Sequence, residues 1–309
     1  MSTADLRPAT LADAPAVTAL LNEMDRIEIG RPETDQHTVE ADLKHRQTDL
    51  TQDSWPALDG GRPVAYGLLW DESGGERVDI DHYVLPDHQR TGLRMLVAME
   101  TRALAKARAN GAERAVVHLH LNTRPTTDTA LLAERGWSVV RTHHVLHRAL
   151  DPAADPVPEA PAGVRVRACR TEADRVRVHE LYQRSFAERF DFQPRAYRLW
   201  LDDIDAQGLD RSLVWIAETD DLGDAGFLLA RDDRAAMGWI RGIGVLREAR
   251  GRGLGGFLLR HAFGHFAARG RDTVGLGVDT ANATGAPRLY DRNGMTVHFA
   301  VDTWEAVLA

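Results

Sequence analysis

The chain has 309 residues, 43% of them hydrophobic and 27% charged, which is ordinary globular usage and excludes a fibre or a disordered polymer. A single cysteine, Cys169, excludes an internal disulfide framework and a CxxC zinc module. The net charge of -8 and a pI near 5.9 argue against a nucleic-acid binder, whose footprint is a basic patch. No apolar run approaches about 18 residues, so no membrane span is expected. The opening Met1-Ser2-Thr3-Ala4-Asp5 has neither a basic n-region nor an apolar h-region, and the expected location is the cytoplasm. Lysine occurs only at Lys44 and Lys106, a bias toward arginine that reads as coding from a high-GC bacterium.

In chain order, an opening strand is followed by apolar residues at helical spacing over Leu11–Met24. Strands are predicted at Ser54–Leu58, Val64–Trp70 and Val78–Val84, then a long helix over Leu93–Asn110 and a strand at Arg114–Leu121. A short helix, a glycine and a last strand close this half. Asp151-Pro-Ala-Ala-Asp-Pro-Val-Pro-Glu-Ala-Pro-Ala-Gly163 carries four prolines and reads as an extended, solvated linker. The order then repeats: a helix over Glu172–Glu188, strands at Leu213–Glu218, Ala225–Ala230 and Met237–Val245, a helix over Gly255–Gly270 and a strand at Thr273–Val278. This predicts an N-terminal domain over 1–150, a linker over 151–163 and a C-terminal domain over 164–309. The acidic run Asp202-Asp203-Ile204-Asp205 and the pair Asp220-Asp221 read as solvated loops that could draw a cationic amine by their field.

The halves also match residue by residue. Leu6-Arg7-Pro8-Ala9 through Asp13 corresponds to Val166-Arg167-Ala168-Cys169 through Asp174, and Trp55 to Trp215. Val84-Leu-Pro-Asp-His-Gln-Arg-Thr-Gly92 corresponds to Val245-Leu-Arg-Glu-Ala-Arg-Gly-Arg-Gly253, and Gly136-Trp137 to Gly294-Met295. A nearly constant offset over separate segments indicates duplication. Strands and helices in this order give an α/β domain of the α+β kind, a mixed, mostly antiparallel sheet flanked by helices.

The sharpest chemistry lies at Val245-Leu-Arg-Glu-Ala-Arg250-Gly251-Arg252-Gly253-Leu254-Gly255-Gly256. A strand ends and a helix begins within ten residues. Glycines let backbone approach a ligand, and a helix N-terminus offers free N–H groups and partial positive charge. Arg250 and Arg252 add charge, so the expected ligand is a pyrophosphate. Gly251-x-Gly253-x-x-Gly256 formally satisfies the dinucleotide fingerprint, but that motif follows the first strand of a parallel unit, whereas here it follows the fourth.

The parse Arg250-x-x-Gly253-x-Gly255, with Asn282, then Ala286-Pro-Arg-Leu-Tyr290, then Asn293-Gly294-Met295, resembles the GNAT superfamily of N-acetyltransferases. The duplicated layout is similar to the tandem mycothiol-synthase type of that superfamily. The resemblance implies two tandem acyl-CoA N-acyltransferase domains, with acetyl-CoA as cosubstrate and no metal. It implies that Ile243, Gly244 and Val245 present backbone groups to the pantetheine arm and acetyl carbonyl. Arg250, Gly251, Arg252, Gly253, Leu254 and Gly255 would cradle the pyrophosphate, Asn282 would bond the pantetheine amide, and Tyr290 would give a proton to the leaving thiolate. The expected partner is a small-molecule primary amine, with the chain a monomer or homodimer. Alternatives are acetylation of a cysteinyl amino-sugar conjugate, transfer of another acyl group, and a non-catalytic CoA-binding regulator.

In the first half the loop reads Gln89-Arg90-Thr91-Gly92-Leu93-Arg94, with a bulky residue where the second small one belongs, and Leu132 stands at the Tyr290 position. That half reads as a degenerate scaffold. The general base is open among Glu218, Asp279, Glu188 and water, with Glu188 and Asp191 the acids expected nearest the acceptor. His118, His120, His143, His144 and His147 read as surface or cleft histidines, since a zinc site needs three or more convergent ligands. His261 and His265, one turn apart, flank a buried helix face, and Cys169 reads as a small apolar residue.

Overall fold

The structure is a computed structural model that describes residues 5–45, 48–71, 74–206, 210–232, 237–282 and 284–309. It divides into two compact units, one of residues 1–143 with 299–309, the other of residues 144–298.

The first unit contains β1 (Asp5–Leu6), α1 (Ala14–Glu28), α2 (Gln36–Leu43), α3 (Leu50–Asp53), β2 (Ala57–Asp59), β3 (Arg62–Trp70), β4 (Arg77–Val84), α4 (Gln89–Ala109), β5 (Ala115–Asn122) and α5 (Thr129–Glu134). A further strand, β6 (Ser138–Ala149), begins there and ends in the second unit. The second unit continues with β7 (Val164–Ala168), α6 (Glu172–Phe186), α7 (Tyr197–Ala206), β8 (Val214–Thr219), β9 (Gly223–Arg231), β10 (Met237–Val245), α8 (Leu254–Ala268), β11 (Thr273–Asp279) and α9 (Ala286–Arg292). The last strand, β12 (Thr296–Leu308), starts in the second unit and ends in the first.

Each unit builds the same sheet. Antiparallel pairs join β1 to β2, β2 to β3 and β3 to β4 in the first, and β7 to β8, β8 to β9 and β9 to β10 in the second. Each sheet has one parallel pair in corresponding register, Arg77↔Val116 to Ile80↔Leu119 and Met237↔Thr273 to Ile240↔Leu276. The inner strands β3 and β9 are buried along most of their length, while β4 and β10 alternate, as central and cleft-facing strands should. Both first helices start the same way. The Asp13 carboxylate accepts from Thr10 N at 2.7 Å and the Asp174 carboxylate from Thr171 N at 2.9 Å, and Arg7 and Arg167 ion-pair with those acids.

The closing strand of each unit comes from the other half of the sequence. Val301–Leu308 of β12 pairs antiparallel with β5 across Val301↔Asn122 to Leu308↔Ala115, and the second unit takes in 144–149 of β6 beside β11, where Leu150 N donates to Asp272 O at 2.7 Å. The proline-rich stretch therefore lies inside the second unit and does not separate two folded bodies. It also packs: a Cβ on Gly264 of α8 would fall 2.6 Å from the Val157 backbone, so glycine is required where the segment crosses the helix.

Two sequence expectations are corrected. The acidic run at 202–205 lies on helix α7, where Ile204 is buried; the Asp203 and Asp205 side chains lie outside the described residues. The helices α2 and α3 were not expected at all, because each is short and carries few apolar residues.

Candidate acyl-transfer site

Helix α8 is the apolar centre of the second unit, burying Phe257, Leu258, Leu259, Ala262, Phe263, Phe266 and Ala267. Its burial fixes where the N-terminus points. Gly251 and Gly253, at φ +78° and +79°, take the left-handed conformation just before it, which side chains disfavour. Nothing lies within 4 Å of a Cβ built on either, so dihedral freedom, not space, calls for glycine there. Gly255 is different: a Cβ would stand 3.3 Å from Leu289, so only a small residue keeps α9 close to α8.

Strand β10 carries a bulge. Its pairing with β9 shifts between Ile240 and Gly242, leaving Arg241 as one extra residue. The pairing of β10 with β11 ends at Ile240↔Leu276, and beyond it the two strands part around a cleft of about 460 Å³. The cleft is lined by Ile240–Val245 of β10, by Leu276–Val278 of β11, by Arg250, Gly251, Gly253, Leu254, Gly255 and Gly256 at the helix start, and by Asn282 and Tyr290. Ten of the eleven residues singled out from sequence thus face one space: Ile243, Gly244, Val245, Arg250, Gly251, Gly253, Leu254, Gly255, Asn282 and Tyr290.

The exception is Arg252. It is exposed, pairs with Asp221 at 2.6 Å, and does not line the cleft. Arg250 is held at the cleft wall, its Nε donating to Val245 O at 3.2 Å and its Nη1 meeting Glu188 at 3.3 Å. Asn282 Oδ1 accepts from Thr284 N and Oγ1 at 2.8 and 2.5 Å, which shapes the turn at the cleft wall. Tyr290 is buried, and burial pushes its hydroxyl up to about 12, opposed by the nearby Arg189 charge.

Each of the acids considered as a base already has a partner. Glu218 pairs with Arg167, Glu188 with Arg247 at 3.1 Å and with Arg250, and the Asp279 carboxylate accepts from Ala281 N at 2.8 Å. Asp191, at φ +50°, accepts from Gln193 Nε2 at 3.0 Å. Among the described residues lining the cleft there is no carboxylate. Sequence reading missed Ser185, Phe186 and Arg189, which also line it; no motif marks them, because only the packing of α6 on β10 brings them there.

The corresponding region of the first unit is built differently. Residues 89–92, the counterparts of 250–253, are wound into the first turn of α4, so no glycine turn precedes the helix. A Cβ on Gly92 would fall 2.6 Å from Val84. The Gln89 side chain donates to Leu85 O at 3.1 Å and Thr126 O at 3.0 Å and accepts from Asp128 N at 2.8 Å. Glu28 accepts from Thr126 N at 2.6 Å and Oγ1 at 2.9 Å. Strand β4 pairs with β3 without a bulge, from Ala65↔Val84 to Trp70↔Asp79. Its Asp81, His82 and Tyr83 stand where β10 has Gly242, Ile243 and Gly244, and Leu132 is buried at the Tyr290 position.

Other sequence candidates fall outside the cleft. His118 bonds Glu305 at 2.8 Å, and Thr303 Oγ1 lies 3.1 Å from His120 Nδ1 and 3.5 Å from His143 Nδ1. His147 stacks on His298. His261 and His265 lie against Trp215. Cys169 is buried, and burial pushes its thiol up to about 11, far from a reactive thiolate. No helix among the described residues is long and apolar enough to cross a membrane.

Residues 175–295 match the family described as the acetyltransferase (GNAT) family. A mycothiol acetyltransferase of Tsukamurella paurometabola is 31% identical over 242 residues, 75% of this chain and 79% of that protein. A mycothiol acetyltransferase of Streptomyces griseus is 28% identical over 301 residues, 93% of this chain and 90% of that protein. Among solved structures, a GCN5-related N-acetyltransferase from Sphaerobacter thermophilus superposes with a TM-score of 0.83 at 27% identity, covering 99% of this chain and 96% of that one. A tandem GNAT protein from the clavulanic acid biosynthesis pathway superposes at 0.72 with 20% identity, covering 98% of both chains.

Proposed function

Because the chain belongs to the acetyltransferase (GNAT) family, whose members use acetyl-CoA, we propose that its second unit transfers an acetyl group directly from acetyl-CoA to a primary amine of a small molecule. The observation that carries this reading is the convergence, in one cleft, of two left-handed glycines at a helix start, a bulged strand parted from its parallel neighbour, and a buried tyrosine.

Each residue has a task. The N–H groups at the start of α8 and the Arg250 guanidinium hold the diphosphate. Beyond the bulge, the backbone of Ile243–Val245 lines the space for the pantetheine arm and the acetyl carbonyl, and an N–H there stabilises charge developing on that oxygen. Asn282 offers its amide N–H to the pantetheine. The amine nitrogen forms the C–N bond as the C–S bond breaks, and the electron pair leaves on sulfur. Tyr290 supplies the proton to that sulfur and recovers one from water, while the amine gives its surplus proton to water. A hydroxyl titrating near 12 is protonated at any working pH, as an acid must be. Holding the two reactants side by side is itself worth several kcal/mol.

The relatives named mycothiol acetyltransferase favour a second reading of the acceptor, a cysteinyl amino-sugar conjugate. Thiol release from acetyl-CoA, followed over a panel of primary amines that includes such a conjugate, tests both. Turnover on none of them favours a CoA-binding protein without catalysis. Mass spectrometry of a co-purified thioester identifies the acyl group.

A further inference from the structure

Ser185 and Phe186 at the end of α6 and Arg189 in the turn that follows line the cleft and have no task in the chemistry above. Ser185 is 6% exposed, and its hydroxyl is buried without a hydrogen-bond partner. It lies against β10, where a Cβ on Gly244 would stand 3.0 Å from its Oγ. A buried hydroxyl left unsatisfied is costly, and a ligand is the partner that such a group in a cleft wall can take. Arg189 lies over the Phe186 ring, its Cζ 4.4 Å from the centroid. Its arginine neighbours are paired, Arg184 with Glu248 at 2.7 Å and Arg247 with Glu188. Among the described residues no acid or carbonyl takes the donors of the Arg189 guanidinium. Stacking covers the face of that group and leaves its edge, with the forked N–H donors, open. It lines the same cleft as Tyr290, and its charge opposes the effect of burial on that hydroxyl. With arginine present and carboxylates absent, the wall offers a counter-ion to an anion and none to a second cation.

We propose that Ser185, Phe186 and Arg189 form the acceptor subsite, and that the acceptor is a primary amine that also carries an anionic oxygen group, a carboxylate or a phosphate. Arg189 grips the anion through its fork, and the Ser185 hydroxyl accepts an N–H from the incoming amine. This rests on the acyl-transfer reading above and names its substrate class.

The test uses the full chain at saturating acetyl-CoA, with acceptors in matched sets: an amino acid, its uncharged amide, and an aminoalkyl phosphate of similar length. KM for the anionic members should be lower than for the amide by about tenfold or more, and the better of the two identifies the anion. Arg189→Ala should erase that difference while leaving KM for acetyl-CoA unchanged, and Arg189→Lys should restore part of it. Ser185→Ala should raise KM for every acceptor alike. Because Arg189 is exposed, its variants test binding without threatening the fold. Equal use of anionic and uncharged acceptors, or a preference that survives Arg189→Ala, overturns the subsite and leaves acyl transfer standing. Thiol release on no acceptor overturns acyl transfer and the subsite with it.

Discussion

Tyr290 carries its argument in a single atom. The ring is buried in the apolar cluster with Leu258, Val278 and Met295, and among the described residues the hydroxyl has no hydrogen-bond partner. Tyr290→Phe therefore removes no native bond, and the unfolding midpoint should move by less than about 1 kcal/mol in equivalent stability. If the hydroxyl is the acid, kcat should fall by about a hundredfold or more while CoA binding by calorimetry stays unchanged. A parallel loss of stability and activity would return the residue to an ordinary packing role. Since burial raises this group to about 12, the wild-type kcat profile should show no descending tyrosine limb below pH 10. Gly253 makes a separate case. At φ +79° with open space around it, Gly253→Ala meets only backbone strain, roughly 1–2 kcal/mol. The loop should respond by leaving the left-handed region and misdirecting its N–H groups, so CoA affinity should drop more than that strain alone accounts for. Calorimetric Kd values beside chemical denaturation of the same variant check this.

At the scale of elements, α8 and α4 show how much of the site was legible. The strand, the glycine turn and the helix that follow one another at 245–255 could be read directly, because phosphate binding demands glycines and a helix start in fixed order. Gly242 and Gly244 signal a bulge or splay on this strand, but its place at Arg241 could not be read, since it arises from how β10 meets β9 and no spacing in one strand encodes a partner's register. Ser185 and Arg189 were hidden for the same reason. In the first half, Arg94 stands at the second small position with its side chain exposed. The larger change is that α4 begins at Gln89 and spends on its own first turn the N–H groups that α8 leaves free. Titration of the full chain with CoA should therefore reach one equivalent, and a second tight site would show that α4 frays to admit a diphosphate. Helix α8 also carries a pH signature. Both ring nitrogens of His261 are buried without partners, and burial lowers the ring from 6.5 to about 4, with the neighbouring His265 adding to it. The folded state thus disfavours the charged ring. The stability this gives is complete above pH 6.5 and is lost as pH falls from there through about 4. His261→Leu should lose less thermal stability than the wild type between about pH 7.5 and about pH 5, by calorimetry at both; equal losses would mean that protonation of this ring is not linked to unfolding.

At the scale of the whole chain, duplication was legible because paired segments kept their offset, but the way the chain closes its units was not. The prolines at 152–161 mark a boundary in composition, and the helical and strand periods on either side agree with it. Neither period says which sheet edge a terminal strand joins, because alternating strands of similar length satisfy either one. In the fold the last eight residues of β12 run along β5, with Ala306 buried, Trp304 and Leu308 packed on the first unit's core, and Glu305 bonded to His118. An unfilled edge there would leave the hydrogen-bonding groups of β5 and its apolar face to water. Deleting residues 299–309 should consequently destabilise the first unit, although the deletion lies at the far end of the sequence. Amide exchange should accelerate along β5 and β4 in the truncated chain, while α8 and β9 keep the protection they have in the full one. Loss of protection confined to the second unit would mean that the terminal strand belongs to the half that encodes it. The same reasoning applies to cutting the chain at the proline-rich stretch. Residues 1–150 alone lack the strand that lies on β5, and residues 164–309 alone lack the 144–149 strand beside β11. Expressed separately, each piece should show broad, non-cooperative thermal unfolding, and mixing them should restore a cooperative transition, because only together do they contain every strand that the two cores require.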